Sequence, residues 1–146
     1  MATIAADQLA LQRLYHWERT AGSSVTLTQP MGGPVVKDFT WAQVGDQVCR
    51  MAAFLKAKGA AEGWLADAKV AILSKNCAWW LMSDLAIWMA GYVSVPLYPT
   101  LAAETITQIL THSEARYITH RSTIKSGSDI SLWANARRGT LSLCLF

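Results

Sequence analysis

Apolar residues recur at helical spacing in the first half of the chain, directly after a start signal. Thr40 and Gln43 fit a capping box, in which each side chain accepts a hydrogen bond from the other residue's backbone N–H. Apolar positions then follow every three or four residues as far as Leu55. Two lysines follow where cations oppose the helix dipole, and Gly59 is predicted to end the helix.

A different pattern follows, in which short apolar runs alternate with helical segments. Strands are predicted at Lys69–Leu73, at Tyr92–Leu97 and from Ala115 to Ile118. Helices are predicted at Ala78–Ala90 and from about Ala102 to His112. The order β-α-β-α-β over residues 69–119 favours a parallel sheet with right-handed crossovers, because connections this short return the chain to the same sheet.

The apolar run Cys77–Tyr98 is long enough to suggest a membrane-spanning helix. Asp84 lies in its middle, and Gly91 and Pro96 interrupt it. Valine and tyrosine become frequent after the glycine, as expected for a strand. The run is therefore interpreted as a helix, a stop and a buried strand.

The N-terminal region is predicted to contain a helix and a hairpin. Residues 5–20 have an imperfect apolar face, and Val25–Gln29 and Val35–Asp38 flank the turn Pro30–Pro34. The two glycines of this turn could suggest a phosphate loop. No helix beginning with Lys and Ser or Thr follows them, so a hairpin turn is the better interpretation.

The fold class predicted for the chain is α/β, a partial parallel sheet with flanking helices. Residues 1–38 form the N-terminal helix and hairpin, residues 39–119 a partial α/β domain, and residues 120–146 an irregular, basic, disordered tail. The segment after Ile118 is rich in Ser, Thr and basic residues and keeps no regular period.

Composition supports a packed domain, since 52% of residues are hydrophobic and 16% are charged. Some of the seven tryptophans are expected to be exposed if no further chain covers them. The excess charge of +3 lies in residues 117–146, whose dispersed cations are a weak signal for nucleic acid or an anionic membrane. Cys49, Cys77 and Cys144 lack metal or disulfide spacing, and no signal peptide is evident, so a reducing cytoplasm is expected.

Candidate chemistry is sparse. Ser74–Asn76 and Leu97–Thr100 follow two predicted strands and should meet at the carboxyl edge of the sheet, where ligands of such sheets collect. Asn76 is a candidate N-cap for the helix that follows. This spacing argues for proximity and not for a role, and ordinary loop chemistry is the favoured explanation of these residues.

The remaining titratable residues form no clear constellation. His112 and His120, with Glu114 between them, lack the third convergent group that a metal site needs. Asp84 either caps or pairs inside the protein or lies on the solvent face of its helix. The GxSxG, Walker and GxGxxG patterns are absent from the sequence.

Several segments together resemble the N-terminal part of AMP-forming acyl-CoA synthetases, particularly the long-chain fatty-acid type. The similarity covers roughly residues 10–116, and its order and spacing carry it. The segments are Leu27–Met31, Asp38–Trp41, Val70–Cys77, Asp84–Thr100 and His112–Ala115. The resemblance makes residues 39–119 a partial AMP-binding domain.

The resemblance implies a two-step reaction. Such enzymes join a fatty acid to ATP as an acyl-adenylate, with Mg²⁺, and then pass the acyl group to CoA. The family's Ser/Thr/Gly-rich phosphate loop and the later lysine of its C-terminal domain are not in this sequence. We therefore expect no catalytic, cofactor-binding or metal-binding residue here, and no cofactor bound by this chain alone.

The resemblance also fades near Arg116, where the basic, Ser-rich segment begins. A frameshift or truncation near residues 116–119 is one hypothesis for this change. The chain is then a fragment of the ligase that is inactive alone; the alternatives are a stand-alone, non-catalytic α/β binding module and a remnant without function. No nucleic-acid partner is expected, and peripheral membrane association and the oligomeric state are left open.

Overall fold

The computed structural model describes residues 5–120 and 142–145. A short 3-10 turn (Ala6–Gln8) precedes the first helix. The helices are α1 (Ala10–Ala21), α2 (Trp41–Glu62), α3 (Ala78–Met89) and α4 (Ala103–Ser113). The strands are β1 (Val25–Gly32), β2 (Val35–Thr40), β3 (Lys69–Leu73), β4 (Val93–Leu97), β5 (Tyr117–His120) and β6 (Ser142–Leu145).

Four parallel strands form one sheet in the order β4-β3-β5-β6. β3 lies between β4 and β5, and its pairing with β4 runs from Lys69 opposite Val93 to Leu73 opposite Leu97. This confirms the β-α-β-α-β order and the α/β fold class. β6 was not predicted. The region described from sequence as an irregular tail therefore contains one strand, which pairs with β5.

The two faces of the sheet carry separate apolar clusters, because neighbouring residues of a strand point to opposite faces. Val70 and Ile72 of β3 pack with α1, α2 and α3, and this larger cluster also holds Tyr117. Ala71 of β3 packs on the other side with α4, in a smaller cluster that includes Ile118. β3 is therefore buried on both faces, as its continuous apolar run predicts.

Helix α2 begins as predicted and ends later than predicted. Gln43 N donates to Thr40 Oγ1 over 3.3 Å and Thr40 N donates to Gln43 Oε1 over 2.9 Å, which confirms the capping box. The prediction that Gly59 ends the helix is wrong. The helix continues to Glu62, and Gly63, with φ of 67°, is the residue that takes the left-handed conformation at its end.

Gly59 has a packing role instead. It is buried inside α2, and a Cβ there would collide with the hydroxyl of Tyr92 and lie 3.1 Å from a ring carbon of Trp64. The two aromatic rings meet edge to face with centroids 5.5 Å apart. The glycine therefore lets this aromatic pair approach the helix backbone.

Helix α3, the stop and strand β4 follow the prediction. α3 has 12 residues, Gly91 has φ of 84°, and β4 begins at Val93. Among the described residues, no helix has the length and apolar character needed to cross a membrane.

The predicted N-cap of α3 is wrong. Cys77 occupies the N-cap position and makes no side-chain capping hydrogen bond, so Asn76 lies outside the helix.

The hairpin of β1 and β2 is confirmed, with longer strands than predicted. Gly32 and Gly33 have φ of 113° and 56°, which explains why glycines occupy the turn. Phe39 at the end of β2 is 1% exposed and meets Trp79 of α3 edge to face at 5.6 Å between centroids. This contact holds the hairpin against the helices.

Candidate functional site

The carboxyl ends of β3 and β4 meet at one edge of the sheet, as their positions in the sequence predict. Ser74 N, just after β3, donates to Leu97 O at the end of β4 over 3.4 Å. The segments Ser74–Asn76 and Leu97–Thr100 therefore lie side by side. This confirms their predicted proximity.

Ser74 is occupied by local contacts. It is 9% exposed, its Oγ donates to Lys75 O over 3.0 Å, and it lies 3.6 Å from Cys77 Sγ. Lys75 and Tyr98 are exposed at the same edge. The serine is thus a loop-stabilising residue, and a surface cation and a phenol lie at the same edge.

Gln29, which sequence reasoning missed, caps the start of α3. Gln29 of the hairpin accepts a hydrogen bond from Ala78 N through its Oε1, over 2.8 Å. This satisfies one of the N–H groups that the missing side-chain cap leaves open. No local signal could reveal it, because the two residues lie 49 positions apart.

The placement of the His, Cys, Asp and Glu side chains bears on a metal site. Within residues 5–120 and 142–145, no group of three or more His, Cys, Asp or Glu side chains is arranged to hold a metal ion. Asp84 was predicted to lie either inside the protein or on the solvent face of its helix. It is 9% exposed, so it lies inside the protein.

An apolar groove of about 360 Å³ lies between α2 and α3, away from the sheet edge. Met51, Phe54, Trp79 and Met82 supply most of its wall, and Arg50 stands at the rim. The arginine is paired with Asp46 over 2.7 Å and both side chains are exposed. The groove is therefore mainly apolar, with one exposed, ion-paired arginine among its lining residues.

A comparison with protein families identifies the family of this chain. A sequence model described as AMP-binding enzyme matches residues 17–143, which covers the hairpin, strands β3 to β5 and both crossover helices and ends within β6. The chain belongs to the AMP-binding enzyme family. The match extends beyond Arg116, where the resemblance recognised from the sequence fades.

Two curated ligases are similar to this chain. The long-chain-fatty-acid–[acyl-carrier-protein] ligase AEE15, chloroplastic, of Arabidopsis thaliana is 31% identical over 102 residues, which are 68% of this chain and 13% of that protein. The probable CoA ligase CCL6 of Humulus lupulus is 28% identical over 108 residues, 67% of this chain and 16% of that protein. The chain thus corresponds to a small part of an AMP-forming ligase.

Solved structures share the fold. CmiS6 has a TM-score of 0.74 and 16% identity and covers the whole chain, which spans 32% of that structure. IdnL1 has a TM-score of 0.70 and 17% identity, with 86% of this chain and 24% of that one covered. The fatty acid AMP ligase from Legionella pneumophila has a TM-score of 0.63 and 17% identity, over 82% and 21%.

Proposed function

We propose that this chain is a scaffold segment of an AMP-forming ligase that activates fatty acids. The observation that carries the proposal is the family match over residues 17–143. The complete enzyme joins a carboxylate oxygen to the α-phosphorus of ATP and releases pyrophosphate. The acyl group then passes from the adenylate to a thiol, and AMP leaves.

The fatty-acid substrate is proposed from the relatives. The Arabidopsis protein is named as a long-chain-fatty-acid ligase, and the Legionella structure is titled a fatty acid AMP ligase. The acceptor differs among the names, since one relative is an acyl-carrier-protein ligase and another a CoA ligase. Adenylation of the acid is therefore the step proposed with the broadest support, and CoA is the acceptor we propose.

We expect the isolated chain to be inactive, for a physical reason. Adenylation needs several preorganised donors and Mg²⁺ around the phosphates, where charge develops in the transition state. The carboxyl edge of this sheet presents Lys75, and the oxygen of Ser74 is engaged with a backbone carbonyl. Those groups position a loop and do not surround a triphosphate.

ATP–pyrophosphate exchange tests this proposal. The purified chain is incubated with ATP, Mg²⁺, labelled pyrophosphate and fatty acids of several lengths, beside the intact Humulus lupulus ligase as the active reference. No exchange above background is expected from the chain, because the phosphate-binding groups are missing. Exchange that depends on both fatty acid and chain would overturn the proposal.

A second candidate, a stand-alone binding module, is favoured by the groove between α2 and α3 and by the two apolar clusters. In a module, a small apolar ligand in the groove should raise the melting temperature. In the ligase segment such ligands should leave it unchanged, and hydrophobic dyes should bind the apolar surface that the rest of the ligase would cover. For the complete ligase we propose a cytoplasmic location. Co-sedimentation with vesicles tests whether it also associates peripherally with a membrane.

A further inference from the structure

The outer edge of β4 carries a row of exposed apolar side chains. We call this surface the α3–β4 edge, and it consists of Leu81, Trp88, Val93, Pro96 and Tyr98. Four of these are large side chains with exposed fractions of 38% for Leu81, 42% for Trp88, 46% for Val93 and 52% for Tyr98. Trp88 of α3 reaches β4, since its Nε1 donates to Ser94 Oγ. Exposed apolar side chains grouped on neighbouring elements of a folded domain mark a contact site.

The backbone of β4 is poorly suited to strand addition along this edge. Val93 donates to Ala68 O and Leu97 accepts from Ser74 N, so both residues face β3. In a parallel ladder alternate residues face opposite sides, which turns Ser94 and Pro96 outward. Proline has no N–H to offer, so a partner must contact this edge mainly through side chains.

A buried carboxylate lies beneath the same surface. Asp84 is 9% exposed and lies one helical turn from both Leu81 and Trp88, with Trp80 one turn away on its other side. Within the part of the chain that the structure describes, the ion pairs join other residues and the hydrogen bonds leave its carboxylate unpaired. A carboxylate that is buried without a paired cation carries a desolvation cost.

We infer that the α3–β4 edge is the docking surface for the remaining body of an AMP-binding ligase. The covering segment supplies apolar side chains against Trp88 and Val93 and a Lys or Arg opposite Asp84. The apolar row supplies the area of contact, and the carboxylate fixes the position of the covering segment along the edge. Trp88 is already oriented over the edge, since its Nε1 donates to Ser94 Oγ over 3.2 Å.

The length of the relatives favours this occupant over a second copy of the chain. The curated ligases extend far beyond the matched region, which is 13% of one and 16% of the other. A twofold pairing of this edge would instead bring two Asp84 carboxylates toward each other without a cation between them. The ligase body can provide the opposite charge, and a second copy of the same edge cannot.

Cysteine labelling tests the coverage. Leu81→Cys, Trp88→Cys and the exposed reference Leu65→Cys are made in this chain, and cysteines are placed at the aligned positions of the intact Humulus lupulus ligase. Maleimide rates are measured by peptide mass spectrometry, each relative to the same protein unfolded in urea. In this chain all three sites should react almost as in urea. In the intact ligase the first two should react at least about tenfold more slowly, because labelling requires local opening.

Removing the charge tests the second half of the inference. Asp84→Asn should raise the melting temperature of the isolated chain by roughly 3–8 °C, since an uncompensated buried charge is lost. Asp46→Asn, which removes an exposed charge paired with Arg50, is the matched control and should change it little. A lower melting temperature for Asp84→Asn would mean that the carboxylate is already paired within the chain, and the inference would be wrong.

Two labelling outcomes would also overturn it. Fast reaction at the aligned positions of the intact ligase means that no segment covers the edge. Protection that grows with the concentration of this chain means that a second copy covers it. The inference rests on the proposed function for the identity of the covering body. Pyrophosphate exchange and labelling fail independently, because exchange reports on chemistry and labelling reports on contact.

Discussion

Gly59 shows how one absent side chain determines the approach of neighbouring residues. Gly59→Ala gains helix propensity of about 1 kcal/mol. It also forces the Tyr92 hydroxyl away from the helix, and overpacking of this kind costs about 1–3 kcal/mol. We expect a net loss of stability, measured by urea unfolding at constant m-value.

Two comparisons isolate the cause. In a Tyr92→Phe background the cost of Gly59→Ala should fall, because the hydroxyl that collides is gone. Gly45→Ala is the matched control in the same helix, where the added Cβ meets the end of the flexible Glu18 side chain. That variant should be neutral or stabilising, and an equal loss at both glycines would contradict the explanation.

These residues also show the limit of sequence reasoning. A glycine after two lysines matches the local signal for a helix end, and Gly63 four residues later matches it as well. The choice depends on Tyr92, which lies beyond β3 in the chain and packs against the helix only in the folded protein. Likewise, Asp84 could be assigned to the interior or to the surface by periodicity, and burial alone decided it.

At the scale of elements, the start of α2 was predictable because its determinants are local. Thr40→Ala removes the acceptor for Gln43 N, and we expect it to destabilise the chain by about 1 kcal/mol. Thr40→Ser keeps the hydroxyl and should retain most of that stability. Equilibrium unfolding of both variants checks this, and an equal effect of Ala and Ser would show that the methyl group matters instead.

The strands divide in the same way. β3 and β4 were predictable from apolar runs bounded by turn residues and by Gly91, since both properties are encoded within a few positions. β6 was not, because its four residues gain their structure by pairing with β5, whose partner residues lie 25 positions upstream (Tyr117 opposite Ser142). The carboxyl-edge loops were placed together correctly from topology, while the cap that Gln29 gives to α3 depends on a contact across 49 positions.

For the whole molecule, those members of the two apolar clusters whose side chains the structure describes lie between Leu11 and Ile118. A chain ending after His120 should therefore keep its helical circular dichroism and lose about 1–3 kcal/mol, the approximate net value of a few strand-pairing hydrogen bonds. Chemical denaturation of the shortened and complete chains measures the difference. Loss of all helical signal would contradict the division of the chain near residue 119.

The frameshift hypothesis stays a prediction, which translation of the downstream DNA in the other two frames tests.

The hydrogen bond from Ala78 N to Gln29 gives the molecule an internal reporter of cooperativity. Since the acceptor belongs to the hairpin and the donor begins a helix, either element must release the other before that amide can exchange with deuterium. In Gln29→Ala the amide of Ala78 should exchange much faster, whereas those in the middle of α3 should keep their rates. Equal acceleration throughout the helix would mean that hairpin and helix open as one unit, so a single proton distinguishes local fraying from the collapse of the entire helical layer.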